Sequence, residues 1–189
     1  CRYVVSSLDF CRNRLWDFSL PRVVSTLLSA IEEGLVDLVF SGPPCATWSR
    51  ARWRQPTALS RPLRGRATHA WGLPWLSERE KKKVHEANSC MLAAMAASEG
   101  VALRGGAYGI EHPVDPECEP YASVWATPEM RELEKKCDAA RRHVDQCELG
   151  CAAQKPTTVS GTLDELKGPP IACQGKHRHE RAYGRTPQG

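Results

Sequence analysis

The spacing of apolar positions along the chain changes between strand-like and helix-like periods, which sorts the segments into elements. Residues Tyr3 to Leu8 read as a short strand, followed by a polar turn around Arg12 and Asn13. Ser19 stands as an N-cap ahead of Pro21. Beyond it Val23, Val24, Leu27, Leu28 and Ile31 make one apolar face of a helix ending at Gly34. Leu35 to Ser41 is a short valine-rich run, read as a buried strand, and it stops at Gly42-Pro43-Pro44. Ser77 and Glu80 have capping-box spacing and open a helix of about two dozen residues, with Val84, Ala87, Met91 and Met95 along its buried stripe and Gly100 at its end. Ala107 to Glu111 is a second short strand, running into His112-Pro113, where proline blocks further pairing. Thr127 and Pro128 open a third helix, extending to about Arg142 with Met130, Leu133, Cys137 and Ala140 inward. His143 to Leu149 and Lys155 to Ser160 read as two strands joined near Gly150.

Strands and helices alternating in this way predict an α/β fold: an open, mostly parallel sheet with helices on both faces. One domain is expected over residues 1–168, with a basic, irregular tail over 169–189. In such sheets chemistry gathers in the loops beyond the carboxyl ends of the strands. Two of those loops are Gly42-Pro43-Pro44-Cys45 and Glu111-His112-Pro113. There is no internal repeat, phosphate-cradling glycine motif or long linker.

A length of 189 residues with 41% apolar and 25% charged positions is that of one soluble globular domain, which excludes disorder, collagen and coiled coil. The longest apolar run, Cys90 to Ala97, falls far short of the roughly 20 residues that span a bilayer, so no membrane segment is expected. The chain begins at Cys1, which reads as a piece of a longer frame and leaves a lost signal peptide open. Nine irregularly spaced cysteines do not make a disulfide framework; most are expected to be small buried hydrophobes in a reducing compartment. The net charge of +4 hides a segregation. Ser41 to Ser77 contains no acid, and holds Arg50, Arg52, Arg54, Arg61, Arg64 and Arg66 among Trp48, Trp53, Trp71 and Trp75; Glu111 to Glu134 carries seven acids against Arg131. A basic, aromatic-studded stretch suits a phosphate backbone and stacked bases, and equally suits a solvated loop whose arginines cover core edges.

Cys45 directly follows a strand, stiffened by two prolines and flanked by Arg50 and Arg52. Adjacent positive charge favours the nucleophilic thiolate. Glu111 ends the neighbouring strand, where a half-buried carboxyl with a raised pKa would donate a proton. A cysteine and a glutamate at adjacent strand ends point to covalent catalysis assisted by an acid, against a structural thiol and a surface acid. No histidine is placed as a base for Cys45, which disfavours a cysteine hydrolase.

Gly42-Pro43-Pro44-Cys45-Ala46-Thr47-Trp48-Ser49 resembles the Pro-Pro-Cys motif of cytosine-5 DNA methyltransferases, and Glu111-His112-Pro113 resembles their Glu-Asn-Val or Glu-Asn-Pro signature, in the same order with a long helix between. The chain is most similar to the divergent methyltransferase-like domains of retroelement polyproteins. That likeness takes in Ser49-Arg50-Ala51-Arg52, Pro62-Leu63-Arg64, Gly72-Leu73-Pro74, Ala87-Asn88, Val124-Trp125, Asp145-Gln146-Cys147, Lys155-Pro156-Thr157-Thr158 and Cys173-Gln174-Gly175-Lys176-His177-Arg178-His179. The resemblance implies that Cys45 attacks carbon 6 of a cytosine in DNA and that carbon 5 takes the methyl group of S-adenosylmethionine, with Glu111 at ring nitrogen 3. It implies Asp9, Asp17 and Pro43 at the cofactor, and Arg50, Arg52 and Lys155 at the nucleic acid. His112 stands where the family has asparagine, which leaves the support of Glu111 open. The family's first strand with its glycine-rich cofactor loop, its closing motif and a target-recognition domain have no counterpart here. The resemblance therefore implies weak cofactor binding and little transfer by this segment. The alternative is a non-catalytic nucleic-acid-binding remnant of a mobile-element protein. An intracellular location follows from either, nuclear if DNA is the substrate. In the tail, Cys173, His177 and His179 are capable zinc ligands with a fourth to come from Cys147 or Cys151, although the spacing is not that of a standard finger and a disordered basic end is the alternative.

Overall fold

A computed structural model describes residues 4–9, 13–54 and 61–180. Tyr3, Arg12, Cys1, Cys11 and the tail beyond residue 180 lie outside the described residues. Helix α1 (Pro21–Glu32) starts at a proline whose missing N–H would have had no helical partner. Ser19 does not cap it: its hydroxyl donates to Asp17 Oδ1 at 2.6 Å, and Leu20 takes the cap position. Strand β1 (Leu38–Ser41) begins three residues later than the apolar run. Leu35 is drawn into the helix end instead, its N–H donating to the Ala30 carbonyl while its side chain stays exposed. A single turn, α2 (Ala51–Arg54), precedes the long helix α3 (Glu78–Leu103). The capping box forms, with the Ser77 N–H and hydroxyl both donating to Glu80 Oε2, and Val84, Ala87, Met91 and Met95 are all buried.

Gly100 does not end α3. It lies within the helix where α1 crosses it, and a Cβ there would stand 3.3 Å from Ile31 Cγ2. Strand β2 (Ala107–Pro113) follows and runs two residues past Glu111: Pro113 does not stop the pairing but stands opposite Thr157, and the Val114 N–H still donates to the Pro156 carbonyl. Helix α4 (Pro128–Cys137) is capped by Thr127, whose Oγ1 accepts from the Met130 N–H, and it stops five residues short of Arg142 because Asp138 turns left-handed at φ 52°. Ala140 consequently opens strand β3 (Ala140–Asp145) rather than facing inward from a helix. A 3-10 turn at Gln146–Leu149, closed by left-handed Gly150, leads towards strand β4 (Pro156–Gly161). No strand forms over residues 4–9.

The four strands form one open α/β sheet in the order β1-β2-β4-β3. It is mixed and not mostly parallel: β1 and β2 run parallel, whereas β2–β4 and β3–β4 are antiparallel. Residues 146–155 contain one 3-10 turn but no α-helix and are too short for the crossover of about a dozen residues that parallel neighbours need. Nor are both faces covered by helices. Ile31 of α1, Met91, Met95 and Val101 of α3, Tyr108 and Ile110 of β2, and Met130 and Leu133 of α4 share a single core with Trp48 and Trp125. On the opposite face Leu38 and Phe40 are 51% and 60% exposed, and Phe40 lies on Gly109, where a Cβ would meet its ring at 2.7 Å.

Gly161 pairs with Gly109 across β2–β4, and a Cβ there would be 2.0 Å from the Tyr108 carbonyl oxygen. Gly161→Ala is expected to push the strands apart and cost on the order of 2 kcal/mol, read as a lowered urea midpoint. An unchanged midpoint would show that this pairing yields freely.

Candidate active site

Parallel pairing with Ser41 opposite Ile110 carries the chain leaving β1 directly past Glu111. A Cβ on Gly42 would stand 3.3 Å from Glu111 Oε2, so glycine permits this close passage. The loop then runs through buried Pro43 and exposed Pro44 to half-buried Cys45. There it turns, the Trp48 N–H donating to the Cys45 carbonyl at 2.9 Å, and Trp48 anchors the turn in the core at 4% exposure.

Glu111 is held through Oε1. Gln146 Nε2 and Lys155 Nζ each donate to it at 3.1 Å, and the Thr157 hydroxyl lies 3.3 Å away. Oε2, facing the Gly42 side, makes no hydrogen bond among the described residues. Lys155, expected at a phosphate, thus carries its charge into the site as the ion-pair partner of Glu111. His112 does not touch Glu111, because neighbouring strand residues point to opposite faces. It is 1% exposed, edge-on to Trp48 and Trp125 at ring separations of 5.7 and 6.3 Å. Burial, with Arg64 and Lys155 adding to it, pushes its imidazole down to about 3, so it is neutral.

Arg64 is the residue that shapes the Cys45 loop. Only 1% exposed, it donates to Thr47 Oγ1 at 3.0 Å, Asn88 Oδ1 at 2.7 Å and the carbonyls of Ala70 and Val84 at 2.9 and 3.3 Å, with its guanidinium 4.0 Å from the Trp48 ring. Desolvation works against its charge and pulls the group down to about 9, still cationic at neutral pH. Asn88 in turn donates to the Trp71 carbonyl at 2.9 Å.

The remaining arginines of the acid-free stretch divide. Arg61 forms a fork with Glu80 and Arg66 a fork with Asp115. Arg52 donates to the carbonyls of Ala46 and Arg61, bracing the loop from the solvent side. Arg50 is exposed and makes no ion pair among the described residues; the Arg54 side chain lies outside them. Asp17 turns its carboxylate onto Ser19, whose N–H and hydroxyl hold it below the usual carboxylate range, and Asp9 is exposed upstream. The structure therefore joins Cys45's loop, Glu111 and Lys155, and sets Asp17 at the start of α1.

Gln146, Thr157, Arg64 and Asn88 carry roles that the sequence left unassigned. For Thr157 a signal existed, since strand alternation opposite Pro113 puts it on the Glu111 side of the sheet. For Arg64 none did, because its partners come from three separate segments: the Cys45 turn, the loop at Ala70 and helix α3.

Near the far end of β3, Cys147, Cys173, His177 and His179 bring their ligand atoms within 4.8 Å of one another. The other described cysteines are also free, and among the seven only Cys147 is buried. No helix among the described residues is long and apolar enough to cross a membrane. No protein-family model matches the chain, and no curated protein matches it.

Proposed function

We propose that the site where β1 leaves β2 is that of a cytosine-5 DNA methyltransferase-like domain, with Cys45 as nucleophile, Glu111 as the group that contacts the pyrimidine, and little methyl transfer by this segment alone. The observation that carries this reading is the close passage of the Gly42-Pro43-Pro44-Cys45 loop beside Glu111 Oε2. It brings the loop that carries Cys45, braced by Arg64 and Arg52, alongside the Glu111 carboxylate where the parallel pairing of β1 and β2 ends.

The Cys45 thiolate adds to carbon 6 of cytosine, forming a C–S bond and placing electron density on carbon 5. Bound S-adenosylmethionine would supply an electrophilic methyl group to that carbon and leave as the thioether. Loss of the carbon 5 proton to a base and expulsion of the thiolate then restore the ring. Glu111 Oε2 contacts the ring at nitrogen 3, while Lys155, Gln146 and Thr157 keep the carboxyl from turning away. The target base leaves its stack at a cost of a few kcal/mol. Arg50 is the exposed cation beside the loop that offers a phosphate contact; Asp9 and Asp17 are the candidates for the cofactor's ribose and adenine.

A duplex carrying pyrimidin-2-one in place of cytosine tests the thiol step alone, because its carbon 6 accepts a thiolate without methyl transfer. A covalent adduct stable on a denaturing gel is expected for the wild-type chain and none for Cys45→Ala. Glu111→Gln should slow adduct formation by about 10²-fold. With S-adenosylmethionine and 5-fluorocytosine DNA, the fluorine blocks the final proton loss and traps the methylated adduct. An adduct that survives Cys45→Ala sinks the mechanism. DNA binding with no adduct on either probe would favour the non-catalytic reading.

A further inference from the structure

We propose that Cys147, Cys173, His177 and His179 form a four-ligand structural zinc site that ties the C-terminal segment to the turn after β3. All four donor atoms lie within 4.8 Å of one another. Cys173 Sγ is 3.9 Å from His177 Nε2 and 3.3 Å from His179 Nε2, and the two Nε2 atoms are 3.0 Å apart. Ligands around a tetrahedral zinc, at about 2.3 Å for sulfur and 2.0–2.1 Å for nitrogen, sit roughly 3.3–3.8 Å from each other. The spacing therefore surrounds an ion-sized centre. Two cysteines and two histidines suit zinc in a closed structural site.

The surroundings are those of ligands held in place. Cys147 sits in the 3-10 turn Gln146–Leu149 that directly follows β3. Ile171 pairs beside β3, its N–H donating to the His143 carbonyl and its own carbonyl accepting from the Asp145 N–H. The Cys173 N–H donates to Asp145 Oδ2 at 2.8 Å. Gly175, left-handed at φ 70°, turns the chain so that its N–H reaches Cys173 Sγ at 3.3 Å. His177 points its other ring nitrogen toward Glu148 at 4.0 Å, the carboxylate partner that commonly orients a metal-bound imidazole. Cys151, the rival fourth ligand by sequence, is exposed and outside the cluster.

The turn that bears Cys147 also bears Gln146, which donates to Glu111. A metal here staples the tail to the turn that supports the candidate active site, and the site stands whether or not methyl transfer occurs.

The full 189-residue chain, purified with zinc and dialysed, is expected to retain one zinc per chain. Reconstituted with Co²⁺ it should show the intense visible bands of tetrahedral coordination and sulfur-to-cobalt charge transfer. Cys147→Ser and Cys173→Ser should each weaken that charge transfer and lower zinc retention to roughly a tenth or less, whereas Cys151→Ser should match wild type. Removing metal from the wild type with a chelator should open Lys176 and Arg178 to trypsin while circular dichroism stays folded, a readout that needs no variant. A folded wild-type chain that retains no zinc, an octahedral cobalt spectrum, or a Cys147→Ser spectrum equal to wild type would each overturn the site.

Discussion

Arg64→Met is expected to lower the unfolding free energy by about 4 kcal/mol, because several buried acceptors lose their donor at once and each unsatisfied group costs about 1–3 kcal/mol. Those acceptors are Thr47 Oγ1, Asn88 Oδ1 and the carbonyls of Ala70 and Val84, and the Trp48 ring loses the cation over its face. Arg64→Lys should recover less than half of the loss, since an ammonium cannot donate in four directions from one plane. Urea denaturation of the three chains measures this. A loss under about 1 kcal/mol would mean that water replaces the guanidinium without penalty. The effect should also reach the thiol. Arg64 is what connects the Cys45 turn to α3, so Arg64→Lys, if folded, should form the covalent DNA adduct more slowly than wild type.

The second large effect is on pH dependence. His112 is held near 3 in the fold by burial first and by Arg64 and Lys155 after it, against 6.5 in the unfolded chain. Between those values the unfolded chain binds a proton that the folded chain refuses. Stability therefore rises with pH across this window and falls as pH is lowered from about 6.5, approaching about 1.4 kcal/mol per pH unit. From pH 7 to 4.5 the expected loss is about 2.5 kcal/mol. The carboxylates of Glu80 and Asp115, lowered by their arginine partners, add their own losses only as the pH falls through and below the ordinary carboxylate range. Unfolding measured across the window with a chelator present, so that metal ligands do not contribute, should show the slope in wild type and its removal in His112→Leu. An equal slope in both chains would place the titrating group elsewhere.

Elements set by neighbours within a turn or two were legible before folding. The Ser77–Glu80 capping box, the Val84, Ala87, Met91 and Met95 stripe and the Thr127-Pro128 helix start all depend on contacts three to four residues apart, and all formed where expected. Boundaries were less so. Ser19 lost the cap because Asp17 took its hydroxyl, and Gly100 stayed helical because α3 needed room for Ile31 more than a stop. The third helix ended early because a left-handed Asp138 began the return into β3. The arginine stretch misled most. Arg61 finds Glu80 on α3, 19 positions away, and Arg66 finds Asp115 of the acidic run, 49 positions away, so part of the basic run is neutralised within the fold.

The sequence by itself determined the α/β alternation, the candidate nucleophile Cys45 just past one strand and Glu111 on another, and three of the four clustered metal donors. Those are matters of residue identity and short-range spacing, which a linear chain displays. Only the tertiary structure decided that the sheet is mixed, that Lys155, Gln146 and Thr157 hold Glu111, that His112 is a neutral core ring, and that Cys147 rather than Cys151 completes the cluster. Each of these depends on which distant segments lie side by side, set by strand order and by the burial of Trp48, Trp125 and Arg64 in one shared interior.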